Sequence, residues 1–206
     1  MRLRDGARKM ISLALVLLLT GCANREQKPE QAALDLRSAY LSMTGFQATA
    51  EVTADYGDRA YQYTVYCEGT AEAGALTVTA PDAIAGTGTE WKDGKTVLDY
   101  DGISLETGQL SPDGLSPADA MPVILSACQS GAILESGWTS WGEQEHCLYL
   151  LIQNPNTQSL ESKVALRADT ETGNLLQAEI LWEENRVISF AFTDFTLEIA
   201  PSETAE

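Results

Sequence analysis

The chain has one histidine, His146, in 206 residues. Any Ser-His-Asp or Cys-His mechanism would have to pass through that single imidazole. Its neighbour Cys147 cannot be the paired nucleophile if residues 146–153 form a strand, because adjacent strand residues point to opposite faces. Basic residues are also scarce, with 13 Lys and Arg against 30 Asp and Glu and a net charge of −17. Nucleic-acid binding rests on neutralising phosphates with Lys and Arg, so this balance argues against it, and against a body lying flat on an anionic leaflet. The four cysteines include no Cys-x-x-Cys pair and no Cys/His spacing of a zinc site. No Gly-rich phosphate loop and no internal repeat is present. Asp99-Tyr100-Asp101-Gly102 begins like a calcium loop but lacks the closing glutamate, so it reads as a hairpin turn. Among so many carboxylates some lie close by chance, and no glycosidase pair can be argued. An enzyme is not expected.

Long apolar runs are missing as well. The longest, Met10 to Leu19, follows a basic segment carrying Arg2, Arg4, Arg8 and Lys9. As a helix its ten residues reach only about 15 Å against roughly 30 Å of hydrocarbon, so it is too short for an ordinary span. A basic head and a short apolar core have the layout of a secretory signal peptide. Its end, Leu19-Thr20-Gly21-Cys22, resembles a bacterial lipobox. That resemblance implies cleavage between Gly21 and Cys22, a diacylglycerol in thioether linkage on the Cys22 sulfur, and a protein held on the extracytoplasmic face of the cell membrane. An ordinary cleaved signal is the competing reading. The expected organisation is a signal peptide over 1–21, the acylated cysteine and a flexible tether over 22–31, one domain over 32–198, and a polar tail over 199–206. Without residues 1–21 the chain keeps nine basic and 29 acidic residues, a net charge of −20. Such charge reads either as solvation and self-repulsion or as steering of a basic partner.

Within the domain, Ala33, Leu36, Tyr40 and Met43 repeat at helical spacing, with Pro29 suited to the start and Gly45 to the stop. The period then changes to two. Phe46, Ala48, Ala50, Val52, Ala54 and Tyr56 alternate with polar residues, as in a half-buried strand. That apolar face is mostly alanine, which leaves room for a packed helix or for a lipid-sized cavity. Strands follow at 60–68, 75–80, 88–92, 96–100 and 103–107, the last three joined by the hairpin signals Asp93-Gly94 and Asp101-Gly102. Ser116-Pro117 opens a second helix that Gly131 ends. Five more strands are expected at 132–139, 146–153, 162–168, 175–183 and 186–197. In the last, Ile188, Phe190 and Phe192 are even but Phe195 and Leu197 are odd, which predicts a bulge near Thr193-Asp194. The sum is mostly β (α+β), about eleven short strands and two helices.

Four stretches, Leu36 to Phe46, Gln47 to Tyr56, Ala80-Pro81 through Gly86, and Leu115-Ser116-Pro117, together with the lipobox, resemble the LolA/LolB-like lipoprotein-carrier superfamily. Within it the chain is most similar to lipid-anchored members of spore-forming Firmicutes, the GerS-like germination lipoproteins. The resemblance implies a curved, incomplete antiparallel barrel with the two helices packed on the concave side. It also implies an acyl chain or lipoprotein as ligand, or a scaffold role beside a cell-wall amidase in spore-cortex modification. No cofactor is expected beyond the covalent diacylglycerol. A concave cavity would be lined by Tyr61, Tyr63, Val65, Phe190 and Phe192, core packing being the alternative for each. Trp138 and Trp141 either form a platform for a cell-wall glycan or close one end of the sheet. Cys67, Cys128 and Cys147 either hold one disulfide and a leftover thiol or are three buried thiols.

Overall fold

The computed structural model describes residues 27–108 and 110–200. The signal segment, Gly21 and Cys22, residues 23–26 of the expected tether, and residues 201–206 of the tail lie outside the described residues. Helix α1 (Pro29–Leu41) begins with proline at its first position, where a missing N–H costs nothing. It therefore starts inside the stretch assigned to the tether. Ala32, Ala33, Leu36 and Tyr40 form its buried stripe. Met43, expected on the same helix, belongs instead to the first strand, because the helix closes at Ser42, whose N–H donates to Ser38 O at 3.1 Å.

Six strands follow as a meander: β1 (Met43–Asp55), β2 (Ala60–Gly69), β3 (Ala73–Ala80), β4 (Gly88–Lys92), β5 (Lys95–Tyr100) and β6 (Ile103–Glu106). After helix α2 (Pro117–Ser130) come β7 (Ile133–Trp141), β8 (Gln144–Gln153), β9 (Ser162–Ala168), β10 (Leu175–Trp182) and β11 (Asn185–Ile199). All lie in one antiparallel sheet ordered β6-β5-β4-β3-β2-β1-β11-β10-β9-β8-β7. The sheet is curved and unclosed, with β6 and β7 as its edges. Asp93-Gly94 and Asp101-Gly102 make their two-residue turns with both residues at positive φ, as a type I′ hairpin demands. The β10–β11 turn falls on Glu183 and Glu184, both at positive φ.

One non-neighbour pairing makes this a single sheet. β1 runs antiparallel to β11 from Met43↔Ile199 to Ala54↔Ile188. The register steps from Thr49↔Asp194 to Ala50↔Phe192, so Thr193 is the extra residue of a bulge, at the expected place. The bulge corrects the phase and brings Phe195 back to the face that holds Phe190 and Phe192. Phe192 meets Phe195 edge-on at 5.1 Å, and Phe46 stacks on Phe195 at 5.7 Å.

Both helices lie on the face carrying Phe46, Ala48, Ala50, Val52 and Ala54, and their buried residues join the same core. Helix α2 has Ser116 as N-cap, its Oγ accepting from Ala118 N at 3.3 Å, and Pro117 at the first position. Met121, Ile124 and Leu125 are completely buried. Helix α2 touches β4 and β5 on one arm of the sheet and β8 and β10 on the other. It crosses the alanine-rich middle, where small side chains permit close approach. Its C-terminal end is held by α1. Arg37 donates from Nε to Cys128 O at 3.4 Å and from Nη2 to Gly131 O, and Gln129 Nε2 donates to Tyr40 O at 3.2 Å. A guanidinium at a helix C-terminus meets both the free carbonyls and the negative end of the dipole. Gly131 must be glycine here, since a Cβ would come within 2.4 Å of Ile152 Cγ2 and 2.6 Å of Gln153 O.

Replacing Arg37 by Met keeps most of the packing and removes the charge-assisted bonds. Arg37→Met should cost about 1.5–3 kcal/mol. At about 2–4 °C per kcal/mol for a chain this size, a clear fall in Tm by differential scanning calorimetry is the expected result.

Candidate binding surface

The register sets the concave face out in rows. Tyr61 sits opposite Ala54 and Ala54 opposite Ile188; Tyr63–Val52–Phe190 and Val65–Ala50–Phe192 repeat the arrangement. The five residues named for a cavity therefore share one face of β2, β1 and β11, with small β1 residues between them. Their surroundings differ sharply. Val65 and Phe190 have no solvent contact at all. Tyr63 and Phe192 are half-buried and pack on the core, and Tyr61 is about half exposed (47%). The middle of the concave side is filled by protein, and of these five residues only Tyr61, with Tyr63 and Phe192 in part, is accessible.

That end has its own character. β3 pairs with β2 only as far as Thr64↔Ala80, and a depression of about 350 Å³ opens beyond, lined by Val52, Tyr63 and Pro81 together with Glu51, Thr53, Gln62 and Thr64 of the outer face. The Tyr63 hydroxyl is buried without a hydrogen-bond partner. Burial, and to a lesser degree the Tyr56 phenol, pushes its pKa up, so it stays protonated and retains a donor. Tyr56 packs edge-on against Tyr61 at 6.4 Å and donates to Leu115 O at 3.0 Å, closing the rim.

A second depression, about 330 Å³, lies between α2 and β4–β5. Asp119, almost fully buried, lines it and accepts from Thr96 Oγ1 at 2.8 Å and from Ser111 N at 2.7 Å. This carboxylate sits in the first turn of α2, where negative charge is favoured. It ties the helix and the loop before it to β5. Farther out on the same face, Leu98, Tyr100, Ile103 and Leu105 are aligned by the pairs Leu98↔Leu105 and Tyr100↔Ile103. Tyr100, Ile103 and Leu105 are exposed by 56, 70 and 58%.

The two tryptophans do not form one platform. Trp138 pairs with Leu148 and packs against the core on the concave side, with His146 stacked on it at 4.2 Å. Trp141 follows a bulge and lies on the opposite face, with the Arg167 guanidinium 5.3 Å from its ring centre. An odd separation of three residues within one strand puts the rings on different faces, which corrects the joint glycan platform. His146 and Cys147 likewise diverge, as strand alternation requires: Cys147 is buried, its Sγ 3.4 Å from Thr139 O. Among the described residues no three His, Cys, Asp or Glu side chains converge as a metal would need.

Cys67, Cys128 and Cys147 are all free and buried, so no disulfide joins them. Burial raises the Cys67 and Cys128 thiols from 9.0 to about 12, and raises that of Cys147 too. Sequence reasoning missed two features. One is the clamp made by Arg37, which lies off the apolar stripe of its helix, and the other is the tie made by Asp119 at the start of α2. For Asp119 its place three residues after a Ser cap was a usable signal; for Arg37 nothing local was.

The architecture is one unclosed antiparallel half-barrel of eleven strands with two helices. Solved structures similar to this chain include the following. A DUF1329 family protein from Desulfovibrio piger is 11% identical with a TM-score of 0.50, over 86% of this chain and 96% of its own. A LolA superfamily protein from Nitrosomonas europaea is 12% identical with a TM-score of 0.47, over 86 and 96%. A chain in the structure of the CwlD amidase from Clostridioides difficile in complex with the GerS lipoprotein is 17% identical with a TM-score of 0.39, over 88 and 97%. No protein-family model matches the chain, and no curated protein matches it in sequence.

Buried protonated thiols should be inert. In a Cys22→Ala chain Ellman's reagent should find no reactive thiol in the native state at pH 8 and three in denaturant; a disulfide would leave one. The unfolded thiols ionise near 9 while those of Cys67 and Cys128 hold their protons to about 12. Their contribution to stability is therefore complete below pH 9 and is lost as pH rises through that window.

Proposed function

We propose that this chain is a non-catalytic lipoprotein, anchored through Cys22 to the extracytoplasmic face of the membrane, that works as a scaffold for a protein partner in the cell envelope. In a spore former, that setting would include cortex modification beside an amidase. The observation that carries the choice of scaffold over acyl carrier is the packing of the concave side. Val65 and Phe190, which a central acyl chain would have to touch, are wholly enclosed. Met121, Ile124 and Leu125 of helix α2, which bridges β4 and β5 to β8 and β10, belong to the same continuous buried core. Admitting an acyl chain there would mean lifting α2 off both arms of the sheet, at the cost of a buried apolar cluster worth about 1.5–3 kcal/mol per large side chain. The anchor adds a limit of position: a tethered body can present a surface to a partner but cannot shuttle a ligand between membranes.

Two measurements bear on this reading together. Native mass spectrometry of the domain expressed without residues 1–21 and with Cys22→Ala should show the polypeptide mass alone, also after incubation with palmitate. A bound acyl chain would overturn the scaffold in favour of the carrier. In the full chain, Cys22→Ala should move the protein from the membrane to the soluble fraction with an unchanged melting curve; a variant that stayed with the membrane would contradict the lipid anchor.

A further inference from the structure

The two edges of the sheet are built differently. Edge strands present unpaired N–H and C=O groups, and proteins usually blunt them with bulges, charges or a covering element. β7 has such protection. Its pairing with β8 is interrupted twice, at Ile133/Glu135 and Thr139/Trp141, and α1 packs against it. β6 has none of it. It pairs with β5 without a register shift from Val97↔Glu106 to Tyr100↔Ile103, and all four of its residues are exposed. Its concave-side residues are Ile103 and Leu105, beside Leu98 and Tyr100 of β5.

The other face of the same hairpin is acidic. Ser104 donates to Asp99, and Glu106 holds Lys95 at 3.4 Å in a pair exposed on both sides. With Asp101 in the turn, three carboxylates stand against one ammonium at this edge. Alternation therefore gives β6 two rows: apolar toward the concave side, acidic toward the outside.

We propose that the free edge of β6 docks an extended strand of a partner protein whose side chains alternate apolar and basic. The proposal rests on the scaffold reading and gives the partner its chemistry. A strand added to β6 would complete backbone hydrogen bonds along Ile103–Glu106. Alternate apolar side chains would cover Ile103 and Leu105, and the intervening Lys or Arg would face Asp99 and Glu106. A second copy of this chain fits poorly, because edge-to-edge pairing would set the same carboxylates against each other on bodies of net charge −17 or below.

The test uses the mature acylated chain in phosphatidylcholine nanodiscs and a fluorescent nine-residue peptide of alternating valine and lysine, with empty nanodiscs as blank. Anisotropy should rise saturably, and amide exchange over residues 103–106 should slow on binding. The double variant Ile103→Ser/Leu105→Ser, which changes only exposed side chains, should weaken binding about tenfold or more with an unchanged Tm. Glu106→Lys should shift preference toward a valine–glutamate peptide. Equal binding by the double variant, protection elsewhere, or no binding would overturn the β6 site. So would light scattering that shows a dimer with β6 protected in the absence of peptide. The scaffold reading fails separately, on a bound acyl chain in native mass spectrometry, so the two failures are distinguishable.

Discussion

The pairing of β1 with β11 is the constraint on which the molecule depends. Each of the two meanders, β1–β6 and β7–β11, could form from neighbours in sequence, but neither would bury its apolar face alone. Joining them requires the first and last strands to meet across most of the domain, a contact whose loop-closure entropy must be met before any packing rewards it. The seam repays this with a ladder from Met43 to Ala54 and with the stacked phenylalanines 46, 190, 192 and 195. The bulge at Thr193 is part of the same solution. Without it Phe195 and Leu197 would point outward, and the lower half of the seam would lose its core.

Once the seam exists, the curved sheet needs something to fill its concave side, and α2 does so. The alanines of β1 set the depth to which that helix sinks, while larger side chains on β2 and β11 flank it. Arg37 and Gln129 lock α1 to the C-terminal end of α2, and Asp119 locks the N-terminal end to Thr96 of β5. Both clamps use charge where the helix dipole favours it. The outcome for function is a division of the concave surface. The central rows are sealed, whereas the outer rows on β5 and β6 keep apolar side chains in water. A fold that could have held a ligand inside itself offers its apolar surface at an edge.

Much of this was legible in the residues. Period-two alternation located all the strands, the Asp-Gly pairs fixed two hairpins, Ser116-Pro117 fixed a helix start, and the parity change between Phe192 and Phe195 fixed the bulge. These are local signals, and each reflects backbone geometry at its own position. What was not legible is tertiary. Met43 had helical spacing but was taken by the sheet, because a strand already paired with β11 competes for it. Trp138 and Trp141 looked like one cluster because the strand was expected to end at 139; it runs on to Trp141, and an odd separation within a strand sets the rings on opposite faces. Val65 and Phe190 read equally well as cavity wall or core, since alternation gives the inner face but not what lies above it. Ile103 and Leu105 show the reverse case, an inner-face pattern that the fold leaves uncovered.

The central claim is that the concave side is shut in its middle and leaves its outer rows on β5 and β6 uncovered. Site-resolved amide hydrogen exchange on the unliganded domain tests it directly. The account predicts the slowest exchange at Ala48–Val52 and Ile188–Phe192, near the rate set by global unfolding, and the fastest strand exchange at Ile103–Glu106. Rapid exchange along Ala50 and Phe190 would contradict it, because it would reveal α2 lifting away and a cavity opening where the account places a packed core.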